Sequence, residues 1–237
     1  MVQPLQRRVD GLPWQEIAAT LSAHGHAVTG PLLDPDICRQ IASGYEGDAG
    51  FRSRVVMERH AFGQGEYKYF SYPLPAAVES LREAFYAKLA PVANAWAEAL
   101  KTGIAYPEAL ADYTRRCHKA GQTKPTPLLL RYEADGYNCL HQDLYGELAF
   151  PLQATILLSE PERDFEGGEF VLVEQRPRQQ SRAEVLRLRQ GEAVIFAVRE
   201  RPRQGARGVH RAVLRHGVSR IRRGRRFALG IIFHDAR

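Results

Sequence analysis

The chain has 237 residues, 44% of them hydrophobic and 25% charged, with a formal net charge of +6. That length and apolar content can bury one sizeable core, while no stretch approaches the ~18–20 apolar residues of a bilayer span and the N-terminus lacks a secretory pattern. Three cysteines, Cys38, Cys117 and Cys139, are odd in number and far apart, which argues against a disulfide framework or a zinc spacing and for a reduced, cytoplasmic setting.

In chain order, Trp14 to Leu21 has helical spacing, His26-Ala27-Val28 reads as a short strand, and Asp34-Pro35 opens a helix through Ile41. Arg54 to Met57 is strand-like and runs into an aromatic segment, Ala61 to Phe70. There Tyr67, Tyr69, Phe70 and the nearby Tyr72, with Lys68 among them, read either as a half-buried strand or as a base-stacking surface; the structural reading is preferred. Ala76 to Leu100 is the longest helix candidate, with Leu81, Phe85, Leu89, Val92 and Trp96 on one side and a kink or break expected at Pro91. A further helix is expected over Pro107 to His118, with His118 at its end. From Leu128 onward the pattern turns to strands, at 128–133, 138–143, 149–159, 169–174, 184–188, 193–198, 208–219 and 225–234. Gly167-Gly168 serves backbone geometry, since no helix follows to cradle a phosphate, and Arg222-Arg223-Gly224 reads as a turn. Eight short strands at this density predict an α+β fold with a two-sheet jelly-roll core. The expected organisation is a single domain, 1–237, with an N-terminal α/β part (1–125) packed on one sheet of the core (126–237).

Within those strands lies the pattern that carries chemistry. Side chains two apart on a strand point the same way, so His141 and Asp143 of Leu140-His141-Gln142-Asp143 can reach one metal. With one distant His they make the facial triad that leaves open positions on non-haem Fe(II). Alternation puts both His210 and His216 on the inward, mostly apolar face of their strand, with Arg211 and Arg215 outward. His216 is the preferred ligand because it adjoins the strand in which Arg226 shares a face with the small residues Ala228 and Gly230. Cys139 shares the face of His141 and is read as a small buried hydrophobe in preference to a site residue. His118 and His234 are not preferred ligands, and His234 is expected to be terminal and polar.

These motifs resemble the 2-oxoglutarate- and Fe(II)-dependent oxygenases, and more closely a bacterial group within that superfamily related to AlkB-type nucleic-acid repair. The resemblance to the bacterial group covers nearly the whole chain, including Phe51-Arg52-Ser53-Arg54-Val55-Val56-Met57, Gly65-Glu66-Tyr67-Lys68-Tyr69-Phe70 and His216-Gly217-Val218-Ser219-Arg220. Arg131-Tyr132, seven residues, then Leu140-His141-Gln142-Asp143 is similar to AlkB in spacing. The resemblance implies a double-stranded β-helix (cupin-like) core, with Fe(II) on His141, Asp143 and His216. It further implies 2-oxoglutarate on Tyr132 and Arg226, O2 as co-substrate, and a coupled decarboxylation to succinate and CO2. Leu130 stands where AlkB has a co-substrate-binding Asn, Ile232 stands near its second Arg, and the ten-residue interval from His216 to Arg226 is closer to that of the prolyl hydroxylases.

The basic balance is almost all arginine, 28 Arg against 5 Lys. Positions 199, 201, 203, 207, 211, 215, 220, 222, 223, 225 and 226 are all Arg. Such a cluster reads either as a phosphate-binding footprint or as a solvated face. The expected substrate is nucleic acid, single-stranded or with a flipped base, in a DNA-repair demethylation; the alternatives are hydroxylation of a protein side chain or small metabolite, and a non-catalytic jelly-roll binding module. No membrane partner is expected.

Overall fold

The computed structural model describes residues 2–175, 180–205 and 208–237. Helices α1 (Val2–Asp10) and α2 (Trp14–His24) precede strand β1 (His26–Pro31) and helix α3 (Pro35–Ser43). Strands β2 (Phe51–Val56), β3 (Gly63–Gln64) and β4 (Glu66–Phe70) lead to the long α4 (Ala76–Ala99) and to α5 (Leu110–Lys119). The core strands follow as β5 (Leu128–Tyr132), β6 (Tyr137–His141), β7 (Leu152–Leu157), β8 (Phe165–Gly167), β9 (Phe170–Gln175) and β10 (Arg182–Leu186). The last are β11 (Glu192–Ala197), β12 (Glu200–Gly205), β13 (Gly208–Val218), β14 (Ile221–Gly224) and β15 (Arg226–Ile231).

All eight strands expected after Leu128 form. The sequence reading lacked α1, β12 and the small β8–β14 pair, and Arg222-Arg223-Gly224 belongs to β14 instead of a turn. No break occurs in α4, which runs unbroken through Pro91. The proline ring lies on the exposed side, and Ala87, whose carbonyl loses its helical donor, is exposed as well, so water can serve that carbonyl. The opposite side buries Leu81, Phe85, Leu89 and Trp96 as expected, together with Arg82, which was not. Arg82 donates to the carbonyls of Ile232 and Phe233 and pairs with the buried Asp235 at 2.7 Å, tying the helix to the segment after β15.

Among the described residues the strands form two main sheets. One runs β1-β11-β7-β15-β5-β4-β2; the other runs β10-β9-β13-β6-β3, with β12 also on β13. Strand β13 is long enough to pair β12 along its first half and to lie between β9 and β6 at its end. The α+β architecture is a double-stranded β-helix with helices on the outside of the seven-stranded sheet. Alternation sets what each strand presents. In β15, Phe227, Leu229 and Ile231 join the hydrophobic core, while Arg226, Ala228 and Gly230 face a cavity between the sheets. The core runs without interruption from Leu5 to Phe233.

Candidate metal centre

His141 and His216 are direct cross-strand partners in β6 and β13, which brings their rings to 4.2 Å between centroids. Asp143 is placed differently from expectation. Strand β6 stops at His141, so the carboxylate comes from the loop beyond it instead of from the next inward position of the strand. It still converges: Asp143 Oδ2 lies 3.2 Å from His216 Nε2 and Oδ1 3.6 Å from His141 Nε2. One ligand atom from each residue falls within 4.8 Å of the other two. The His141 ring is oriented by Nδ1, which donates to the Cys139 carbonyl at 2.8 Å, leaving Nε2 as the metal-facing nitrogen. The His216 ring packs on Phe196 and Phe170.

Electrostatics favour the ligating protonation states. Burial pushes the Asp143 carboxyl upward, but the hydrogen bond and charge of His216, the charge of His141 and the Gln153 amide outweigh it and hold the group below the usual carboxylate range. Burial, then the neighbouring His141, lowers His216, against a smaller opposing pull from Asp143. A charged carboxylate and a neutral imidazole are the forms that bind a metal without first losing a proton.

Residues 65–236 match the family model Oxygenase-NA, described as an oxygenase catalysing oxidative methylation of damaged DNA. The chain belongs to that family. The Oxygenase-NA chain is also 50% identical over 167 residues to an uncharacterised protein of Mycobacterium tuberculosis strain H37Rv, covering 70% of this chain and 72% of that protein. Its fold is similar to that of a Pseudomonas putida prolyl-4-hydroxylase (TM-score 0.54, 15% identity, 94% of this chain and 99% of that one). It is similar as well to a Trichoplax adhaerens prolyl hydroxylase solved with a hypoxia-inducible-factor peptide fragment (TM-score 0.55, 12% identity, 98% and 92%). A 2-oxoglutarate-Fe(II) oxygenase-family oxidoreductase of Burkholderia pseudomallei aligns at TM-score 0.51 with 16% identity over 94% of both chains.

The oxygenase cavity, about 390 Å³, is lined by the three candidate ligands together with Tyr132 and Arg226. Arg226 and Tyr132 are cross-strand partners in β15 and β5. Arg226 is 2% exposed, its Nε has no hydrogen-bond partner, and no carboxylate among the described residues lies within ion-pair distance of it. Burial lowers its pKa, opposed by Tyr132 and Glu169, yet a guanidinium stays protonated in proteins. A buried cation without a carboxylate in contact fits an incoming one, and two imidazoles with one carboxylate fit Fe(II). The residues present therefore suit iron and a dicarboxylic keto acid.

The Gly167-Gly168 pair serves geometry, as read from sequence. Both have positive φ, and a Cβ on Gly168 would meet the Ile221 side chain and lie 2.9 Å from Arg226 Cδ. Gly168→Ala should destabilise the protein by about 1–3 kcal/mol and also weaken 2-oxoglutarate binding. Thermal unfolding and a co-substrate titration check the two effects separately.

Several sequence candidates lie elsewhere. His210 sits far along β13 opposite Arg203, outside the metal cluster. Cys139 is exposed and lines the cavity, a correction to its reading as a buried hydrophobe, because β6 shows that face to the cavity mouth. His118 ends α5 as expected and contacts Asp235 at 2.8 Å. His234 is buried instead of terminal and polar: its Nδ1 accepts from the Phe150 amide, and burial pushes its pKa down to about 4. The aromatic segment is structural in the main, with Tyr69 and Phe70 buried and Lys68 held by the Tyr45 and Gly47 carbonyls and Asp48; Tyr67 lines the cavity.

The late arginines do not make one face. Arg201 is buried on Glu174, and Arg226 is inside the cavity. Arg211 pairs with Glu200, Arg220 with Asp135, Arg223 with Glu166, and Arg225 with Glu133 and Glu46. Arg207 lies outside the described residues. The sequence reading also lacked two residues that touch the site, Tyr145 and Gln153. Their signal was available in part: Gln153 and Thr155 interrupt an apolar strand at a spacing of two, the mark of a face turned toward something polar.

Proposed function

We propose that this oxygenase binds Fe(II) through His141, Asp143 and His216 and 2-oxoglutarate through Arg226 and Tyr132, and that its substrate is a methylated base in damaged nucleic acid. The observation that carries the cofactor reading is the convergence of three ligand atoms in one cavity with a buried guanidinium that no carboxylate among the described residues contacts. Bound together, iron and 2-oxoglutarate supply oxidation of a substrate C–H bond coupled to decarboxylation of the keto acid. Arg226 offers two parallel donors to the distal carboxylate and fixes how deep the keto acid sits. Tyr132 Oη, which accepts from Asn138 Nδ2 at 3.3 Å, retains its proton for a carboxylate oxygen. Phe170, Phe196 and Leu128 around the polar groups keep bulk water from the reacting atoms.

The family description supports the damaged-DNA substrate. Hydroxylation of an N-methyl carbon gives a carbinolamine that releases formaldehyde and the bare nitrogen, so the chemistry runs toward removal of the methyl group. Phe62, 48% exposed at the cavity mouth and backed by the stacked ring of His60, gives an unpaired base an aromatic face. A base still in the duplex stack cannot reach the metal, so single strands or easily flipped bases are favoured. Because most of the late arginines are committed to local carboxylates, binding should fall with salt along a shallow slope set by few phosphate contacts.

The test measures succinate and formaldehyde with methylated single-stranded oligonucleotides, peptides and free amino acids side by side. Methylated oligonucleotides should stimulate both products in equal amounts. Stimulation by peptides or amino acids alone would overturn the nucleic-acid reading. Hydroxylation of a protein side chain, the second reading, is favoured by the ten-residue interval between His216 and Arg226.

A further inference from the structure

We propose that Tyr145 and Gln153 are positioning residues that hold Asp143 for metal binding through a single carboxylate oxygen. This rests on the iron reading above and adds how the loop-borne ligand is aimed. Because β6 ends at His141, no ladder hydrogen bond orients Asp143. Side chains do that instead. Tyr145 Oη donates to Asp143 Oδ1 at 2.7 Å, and Gln153 Nε2 donates to Oδ2 at 2.8 Å. The two donors come from different places, Tyr145 from the ligand's own loop and Gln153 from β7 in the seven-stranded sheet, so the carboxylate is held across the cavity.

The Tyr145 contact has a direction. Tyr69 Oη donates to Tyr145 Oη at 3.0 Å, which leaves the Tyr145 proton for Asp143. Arg52 lies 4.3 Å over the Tyr69 ring and helps fix it. Three side chains in line polarise one another toward the carboxylate. Gln153 is buried, its amide nitrogen lies nearest Asp143 Oδ2 and 3.5 Å from His216 Nε2, and its Oε1 has no partner.

A metal placed between His141 and His216 can take either oxygen of Asp143. The oxygen it does not take keeps a neutral donor, whichever one that is. A carboxylate whose second oxygen is hydrogen-bonded in this way binds through one atom. With one carboxylate oxygen and two imidazoles the protein would supply three ligands and leave the cavity side of the ion for the keto acid and oxygen. Two-oxygen binding would take up part of that side. Removal of either donor should therefore loosen the ligand and let its mode change.

The experiment titrates Fe(II) without oxygen, and Mn(II) followed by electron paramagnetic resonance, into wild type, Tyr145→Phe and Gln153→Leu, with Asp143→Ala as reference. Each single variant should lose about 10- to 100-fold in metal affinity, the range seen on removing groups that orient metal ligands. The visible charge-transfer band of the ferrous 2-oxoglutarate complex should shift, with thermal unfolding of the metal-free proteins unchanged. Gln153→Leu lies on a different element and carries the same test if Tyr145→Phe does not fold. Wild-type affinity and an unshifted band in the folded variants would overturn the clamp and leave the iron reading standing. Failure of the wild type to bind either metal, or equal binding by Asp143→Ala, would overturn both.

Discussion

Replacement of His141, Asp143 or His216 by Ala should each abolish stoichiometric Fe(II) binding and reduce succinate formation to background. The three side chains meet at one point from two strands and a loop, and no other group of three His, Cys, Asp or Glu among the described residues could substitute. Loss of one leaves two ligands, too few to hold a labile divalent ion against water. His210→Ala should keep both metal and turnover, since that ring lies outside the cluster beside β12. Iron analysis and anaerobic titration check this directly. Retention of iron by His216→Ala, with loss by His210→Ala, would show His210 and not His216 to be the distal ligand.

Arg226→Ala should raise the 2-oxoglutarate requirement by on the order of a hundredfold or more. The estimate follows from the roughly 3–5 kcal/mol lost when one partner of a buried charge pair is removed. Arg226→Lys should recover little of the loss, because an ammonium keeps the charge but not the two-pronged geometry. Tyr132→Phe removes a hydrogen bond to a charged carboxylate, about 1.5–3 kcal/mol, and should cost roughly ten- to a hundredfold. Equilibrium binding of 2-oxoglutarate to the Mn(II) protein separates these effects from chemistry. Unchanged affinity in Arg226→Ala would move the carboxylate site. Arg220 and Arg225, the next residues to test, are exposed and already paired with Asp135 and with Glu133 and Glu46.

The fold was legible wherever a face alternates over five or more residues. The alternation of β15 gave both its core side and its cavity side, whereas that of β13 left His210 and His216 on one face, and adjacency to the Arg226 strand decided for His216. Elements of two to four residues were not legible. Strands β3, β8 and β14 are too short to show a period, and their pairing is set by glycines and neighbours distant in the chain. Asp143 was found for a reason that does not hold, since the strand it was assigned to ends two residues earlier. Two residues of chain reach the same place by another path. The arginine cluster shows the converse limit: adjacency in sequence says nothing about shared surface when β12, β13 and β14 carry successive arginines to different carboxylates.

Strand β15 lies between β7 and β5, and these two belong to separate stretches of the seven-stranded sheet until it arrives. A chain interrupted before residue 226 would leave two open strand edges facing each other, each offering unpaired backbone to any other strand and inviting aggregation. If Arg226 holds the co-substrate as proposed, closure and co-substrate recognition are one event during folding, because the segment that seals the sheet also delivers the guanidinium. An incompletely folded molecule would lack Arg226 in place, so redox-active iron could not be loaded with its keto acid in a half-made cavity. A refolding experiment would show this as 2-oxoglutarate binding that appears only with the slow, long-range phase of sheet formation.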